Sequence, residues 1–269
     1  MTSIHDLAAL VHLAESLARS AGTMARDGRA DHGVSAATTK SSATDVVTEY
    51  DRASETLIVD GIRAARPDDA IIGEEGTDTE GTSGVHWLID PIDGTTNFLY
   101  GLPGWAVSIA ACDDDGGLAA AVYVPATDEM FTATRGGGAR LNGTPIRCST
   151  TSDLALALVA TGFSYQPQRR AVQAARLTAL LPRVRDIRRM GAAATDLCSV
   201  AAGRLDAYFE EHLGPWDLAA GELIAREAGC AVGSIDGGPV RPASVFVSNP
   251  LLFDRARSLV HDLDADLLD

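Results

Sequence analysis

The chain has 269 residues, of which 46% are hydrophobic and 22% charged. This excludes a disordered or collagen-like polymer and leaves one large domain or two small ones whose core needs no disulfide. Acidic residues outnumber basic ones by 37 to 22, a formal charge of -15, and aromatic residues are only 5%. That balance argues against a nucleic-acid partner, because phosphate backbones are bound by surplus Lys and Arg and bases by stacking platforms. It leaves room for a small phosphate ester reached through a divalent cation held by carboxylates.

The N-terminal stretch MTSIHDLAAL has no basic n-region, so no export signal is read there. No apolar run approaches the roughly 20 residues needed to span a bilayer. The cytoplasm is the expected compartment, with no membrane partner. Leu7, Leu10, Val11, Ala14, Leu17, Ala18 and Ala21 recur at helical spacing and predict an amphipathic helix over 3–26. Residues 28–42, rich in Gly, Ser, Thr and Ala, read as a loop or hairpin. A second helix is predicted over 48–65, stopping before Pro67, and short strands over 70–72 and 85–89. Residues 105–141 are strand-rich, with Gly116-Gly117 and Asn142-Gly143 as turns.

The pattern changes near Cys148 to Ser152, with no long linker. Beyond it, helices near 167–181, 192–202, 217–228 and 252–264 alternate with strands near 154–160, 183–189, 205–209 and 245–248, which predicts helices layered on sheets. Cys112, Cys148, Cys198 and Cys230 have no C-x-x-C spacing and no His pair nearby, so they read as thiols of a reducing compartment rather than zinc ligands. Arg183, Arg185, Arg188 and Arg189 form a basic cluster that suits a solvated or subunit-facing strand, or a phosphate contact.

The densest chemistry is Asp90-Pro91-Ile92-Asp93-Gly94-Thr95-Thr96-Asn97, at the end of the apolar run Trp87-Leu88-Ile89. Pro91 lacks an N–H and is expected to stop the strand ladder. Asp90 and Asp93 at a strand end could share a hard cation, and the N–H groups of Gly94 and Thr95 at a helix start could hold a phosphate. A strand end with a turn acid and a capping Thr reads equally well from these residues alone. Glu74-Glu75 after Ile71-Ile72-Gly73, and Asp217 after Gly214-Pro215-Trp216, add acids at a second strand end and a helix start. Read singly they are a solvated turn and an N-cap. Together they would suit Mg²⁺, which takes oxygen ligands.

These segments resemble the inositol monophosphatase family of metal-dependent, lithium-sensitive sugar phosphatases. The matching motifs are Asp45-Val46-Val47-Thr48-Glu49-Tyr50-Asp51, Gly73-Glu74-Glu75, Asp90 to Phe98 and Trp216-Asp217-Leu218-Ala219-Ala220-Gly221, in family order. Lys40-Ser41-Ser42 resembles the start of the family's metal-binding loop. The resemblance implies a single αβαβα sandwich over 1–269, with a metal- and phosphate-binding half (1–150) and a substrate-pocket half (151–269), and a homodimer. It implies two or three Mg²⁺ ions, with Mn²⁺ as a substitute. Glu74, Asp90 and the Ile92 carbonyl would hold the first; Asp90, Asp93 and Asp217 the second; a third would lie near Glu74. Thr95 and Asp51, with Glu74, would serve catalysis by activating water for direct in-line attack on a phosphate monoester. Asp93, Gly94, Thr95, Ala193, Glu210 and Asp217 would contact substrate, with Glu210 preferred to Glu211; Ala192 lacks a hydroxyl often found at its position. The implied substrate is myo-inositol monophosphate. Histidinol phosphate, fructose 1,6-bisphosphate or a nucleotide are alternatives within the superfamily, and a non-catalytic regulatory protein is an alternative outside enzymes.

Overall fold

The structure, a computed structural model, describes residues 6–34, 37–39 and 46–268. The Lys40-Ser41-Ser42 segment and Asp45 lie outside the described residues. Helix α1 (Leu7–His32) starts where Asp6 accepts a hydrogen bond from the Ala9 N–H at 3.1 Å. It buries Leu10, Ala14, Ala18, Ala21 and Ala25, a stripe of mostly small residues that lets the helix lie close to a sheet. The helix runs to His32 rather than ending near 26. Gly28 is tolerated inside it because a Cβ there would stand 2.5 Å from the Tyr50 ring.

Strands β1 (Ala37–Thr39) and β2 (Val46–Thr48) pair antiparallel, and β2 leads directly into α2 (Glu49–Ala65). The first large sheet is built from β3 (Ala70–Gly73), β4 (Asp78–Thr79), β5 (His86–Asp93), β6 (Ala106–Asp113), β7 (Gly116–Val124), β8 (Glu129–Thr134), β9 (Gly138–Leu141) and β10 (Thr144–Pro145), with the short helix α3 (Thr95–Tyr100) after β5. Its order is β10-β9-β8-β7-β6-β5-β3-β4, and only the β3–β5 pair is parallel.

The second half alternates as expected: β11 (Leu158–Thr161), α4 (Pro167–Leu180), β12 (Asp186–Arg188), α5 (Ala193–Ala201), β13 (Ala207–Glu210), α6 (Pro215–Glu227), β14 (Ala231–Gly233), β15 (Val245–Ser248) and α7 (Phe253–Leu268). The strands form one mixed sheet in the order β12-β11-β13-β15-β14. The strand read over 154–160 begins instead with a 3-10 turn, Leu154–Leu156, that Asp153 caps. The strand read over 183–189 shrinks to β12 after a second such turn carrying Pro182.

Successive strand residues face opposite sides, and the two sheets use both faces. On β6, Val107, Ile109 and Ala111 pack with Leu10, Ala14, Ile58 and Ile62 of α1 and α2. The alternate residues Ala106, Ala110 and Cys112 pack with Leu197, Leu223 and Ile224 of α5 and α6. On β13, Tyr208 joins that middle core, whereas Ala207 and Phe209 face Leu180, Ala256 and Val260 of α4 and α7. Three cores therefore hold five layers together, the middle one enclosing α5 and α6 between the two sheets, which gives an αβαβα arrangement. Gly221 makes the central contact close: a Cβ there would stand 2.5 Å from Leu197 Cδ1. No described helix is long and apolar enough to cross a membrane.

Candidate active site

Pro91 does not end β5. The strand continues to Asp93 through a bulge: Asp90 faces Ser108 and Asp93 faces Ala106, so three steps along β5 oppose two along β6. In a regular strand residues three apart point to opposite faces. The extra residue corrects the phase, and Asp90 and Asp93 both line one pocket of about 260 Å³. Gly94 then turns the chain with φ +85°, where a Cβ would stand 2.9 Å from the Gly104 carbonyl and 3.0 Å from Ala192. Thr95 starts α3 immediately afterwards.

Glu74 follows β3, which lies beside β5 in parallel register, and its N–H donates to the Ile89 carbonyl at 3.1 Å. The turn after it is held from below by Glu55 of α2, whose carboxylate accepts from the Glu75 N–H at 2.8 Å, the Thr77 N–H at 3.1 Å and the Thr77 hydroxyl at 2.7 Å. Asp217 sits in the first turn of α6 and accepts from the Gly214 N–H at 2.7 Å. Glu74, Asp90 and Asp217 converge: each offers a carboxylate oxygen, and the three lie within 4.8 Å of one another. Asp93 stands beside this trio. Its two oxygens accept from the Ala193 and Ala194 N–H groups at 3.2 and 2.7 Å, at the start of α5.

The acids repel one another in a water-poor site. Burial, then the charges of Glu74, Asp93 and Asp217, push Asp90 well above the usual carboxylate range. Burial and Asp217 do the same to Asp93, against the Ala194 N–H that favours its charged form. Asp217 is raised from 3.8 to about 7 by burial and by Glu74. Such a set is short of positive charge, and its all-oxygen donors are those that Mg²⁺ or Mn²⁺ prefers.

Asp51 is fully buried at the third position of α2 and closes a capping box with Thr48, accepting from the Thr48 N–H at 2.8 Å and the Thr48 hydroxyl at 2.5 Å. Its other oxygen accepts from the Thr95 hydroxyl at 3.0 Å, which also lies 3.0 Å from the Ile92 carbonyl. Burial raises Asp51, and the donors from Thr48 and Thr95 pull it back down. The structure thus joins residues 44 positions apart into the pair that the resemblance implied.

The opposite wall comes from the second half. Glu210 lines the pocket and accepts from the Tyr208 hydroxyl at 2.6 Å. Burial raises it, while Tyr208 and the nearby Arg189 lower it. Gly162 makes room for it, since a Cβ there would stand 2.0 Å from the Glu210 carboxylate. Glu211 also borders the pocket but is paired with Arg176 at 2.8 Å. Ala193 borders the pocket beside the Asp93 contact, and His212, with φ +65°, lies at its rim.

Several contacts of the site escape a linear reading. Asn97 donates to the Gly104 carbonyl at 2.5 Å and to the Met190 carbonyl at 2.8 Å, which ties α3 to the loop before α5. Asp196 is 1% exposed, and its Oδ1 has no hydrogen-bond partner among the described residues. Burial, with Glu210 and Asp93 nearby, holds it well above the usual range. The basic cluster divides: Arg188 pairs with Asp186 and Arg185 donates to the Leu156 carbonyl, whereas Arg189 borders the pocket over the Phe163 ring. Arg169, outside that cluster, also borders it.

This layered architecture is that of the inositol monophosphatase fold, and comparison with known proteins agrees. The inositol monophosphatase family profile matches residues 6–263, so the chain belongs to the inositol monophosphatase family. It is 45% identical over 254 residues to the inositol-1-monophosphatase of Mycobacterium leprae, covering 88% of this chain and 87% of that one. It is also 45% identical over 264 residues to the Nus factor SuhB of Escherichia coli K12, covering 96% and 98%. Among solved structures, an IMPase of Thermotoga maritima superposes with a TM-score of 0.88 at 32% identity, covering 96% of this chain and 99% of that one.

Proposed function

We propose that the chain is a Mg²⁺-dependent phosphomonoesterase acting on a small polyol phosphate, with myo-inositol monophosphate as substrate. The observation that carries this reading is the convergence of Glu74, Asp90 and Asp217 beside the hydrogen-bonded Thr95–Asp51 pair in one pocket. Binding alone requires no such combination. The donor set fits hard divalent cations, so Glu74, Asp90, the Ile92 carbonyl, Asp93 and Asp217 would hold two or three Mg²⁺, or Mn²⁺ in their place. When bound, the cations offset the charge of a dianionic ester and acidify water.

The chain's own residues supply the rest. Asp51, fixed by Thr48, accepts the Thr95 hydroxyl proton; this leaves the Thr95 oxygen free to accept a proton from the attacking water. Gly94 and Thr95 line the pocket, and their N–H groups would hold the phosphate. Asp93, Ala193, Glu210 and Asp217 receive the hydroxyls of the leaving alcohol, and Tyr208 fixes Glu210 in place. Walls from both halves line the pocket, so 1–150 and 151–269 work as a single domain. A cytoplasmic homodimer without nucleic-acid or membrane partners is part of this reading, in keeping with the formal charge of -15.

The test is phosphate release from inositol 1-phosphate, histidinol phosphate, fructose 1,6-bisphosphate and a nucleoside monophosphate, with and without Mg²⁺. Release that requires Mg²⁺, with the highest kcat/KM for the inositol ester, is expected. A histidinol phosphate preference of orders of magnitude would overturn the substrate. A second reading, a regulatory protein, is favoured by the likeness to the Nus factor over 96% of the chain. Absence of release from every ester, with Mg²⁺ demonstrably bound, would decide for it.

A further inference from the structure

We propose that Cys148 and Cys230 form a reversible intrachain disulfide, a modification site separate from the ester pocket that takes a peroxide as its oxidant. Cys148 lies in the segment joining the two halves and is half-buried; Cys230 follows α6 and is 9% exposed. Their backbones are stitched together. The Cys148 N–H donates to the Ala228 carbonyl at 3.2 Å, two residues before Cys230. Gly229, with φ +87°, turns the chain there, and the Cys230 N–H donates back to the Ala225 carbonyl at 2.9 Å. Both side chains pack into the middle core.

The two thiols are neighbours: burial, together with the Cys148 thiol, raises Cys230. The other two cysteines stand elsewhere: Cys112 faces the charges of Glu222 and Asp113, and Cys198 those of Asp93 and Arg204. Two neighbouring thiols on segments joined by a backbone hydrogen bond are the starting point a disulfide needs.

The half-buried Cys148 is the thiol that peroxide reaches. The Cys148 thiol gives up its proton as its sulfur attacks one oxygen of hydrogen peroxide, the O–O bond breaks, and the departing hydroxide takes up that proton and leaves as water, forming a sulfenic acid. The Cys230 sulfur then attacks that sulfur, the S–O bond breaks, and the hydroxyl leaves as a second water carrying the Cys230 proton. Two thiols lose two electrons and two protons, and one peroxide becomes two waters. The bond ties the inter-half segment to the turn after α6, whose other end carries Asp217.

The experiment treats the full chain with hydrogen peroxide, blocks remaining thiols under denaturing conditions, and analyses a non-reduced digest by mass spectrometry. The expected result is a peptide pair joined through Cys148 and Cys230, lighter by two hydrogens than the separate peptides and released by dithiothreitol. The titratable thiols fall from the four of the reduced chain to two. Cys148→Ser and Cys230→Ser each abolish the joined pair. Sulfinic or sulfonic acid at Cys148 with Cys230 still a thiol, a bond between other cysteines, or four thiols retained would each overturn the proposal. Because the decisive readout is on the unmutated chain, a variant that folds poorly does not shelter it.

Discussion

Asp90 is where the site's electrostatic conflict is greatest. It is 1% exposed and faces the charges of Glu74, Asp93 and Asp217, so its ionised form is costly until positive charge arrives. Asp90→Asn therefore separates two roles that most active-site changes confuse. In metal-free protein the substitution removes repulsion and is expected to leave the melting temperature unchanged or raised. With saturating Mg²⁺ it is expected to lower kcat by about 100-fold or more, roughly 2.7 kcal/mol of barrier. A rate assay paired with a thermal melt checks both, and near-normal turnover would remove Asp90 from the centre of the mechanism. Asp90, Glu74 and Asp217 were legible through the family motifs that carry them, because read singly they pass for turn acids and an N-cap. Asp196 and Gly162 were not. Their meaning lies in neighbours contributed by other elements, as when Gly162 merely vacates the space that Glu210 fills.

At the scale of elements, the sequence showed that a strand ends in acids but not how it aims them. Pro91 reads as a terminator because it has no N–H. In the sheet that missing donor coincides with a bulge, and the strand survives while Asp93 is brought into phase with Asp90. The order of helices and strands in the second half was readable from periodicity. The overrun of α1 through Gly28 was not, because Gly reads as a break until Tyr50 is seen lying against it. Helix α2 has a similar hidden task. Besides presenting Asp51, it holds the Glu74 turn through Glu55, whose three accepted hydrogen bonds leave no sign in the spacing of residues 55 and 75. Glu55→Ala strands two N–H donors and is expected to cost about 2 kcal/mol or more of stability. It is also expected to raise the Mg²⁺ concentration needed for half-maximal phosphate release severalfold, with kcat at saturation less affected. A chemical melt and a Mg²⁺ titration check the pair; an unchanged Mg²⁺ requirement would show that Glu74 keeps its place without α2.

For the whole molecule, the excess of acid is not spread evenly in its consequences. Acids away from the site are neutralised by arginine: Asp69 by Arg66, Glu129 by Arg204 and Asp236 by Arg241, and all three are held below their ordinary range. Their contribution to stability is present above that range and is lost as acid protonates them. The site acids have the opposite sign. Asp217 binds its proton more tightly in the folded chain, at about 7 instead of 3.8, and Asp90 and Asp93 shift the same way. The stability they contribute is fully present below the ordinary carboxylate value and is lost as pH rises through about 7. Metal-free protein is therefore expected to melt progressively lower between about pH 5 and 8. Mg²⁺ reverses this, because a ligand bound only by the folded state stabilises by about 2.7 kcal/mol at a hundred times its Kd. The rise in melting temperature on adding Mg²⁺ should thus be larger at pH 8 than at pH 5, where protons compete for the same oxygens. Asp217→Asn should flatten the metal-free slope and shrink the Mg²⁺ effect together. Thermal melts over this range, with EDTA or with Mg²⁺, measure all three quantities. A metal-free stability that climbs from pH 5 to 8 would mean that the converging acids do not carry the charge strain on which the metal site depends.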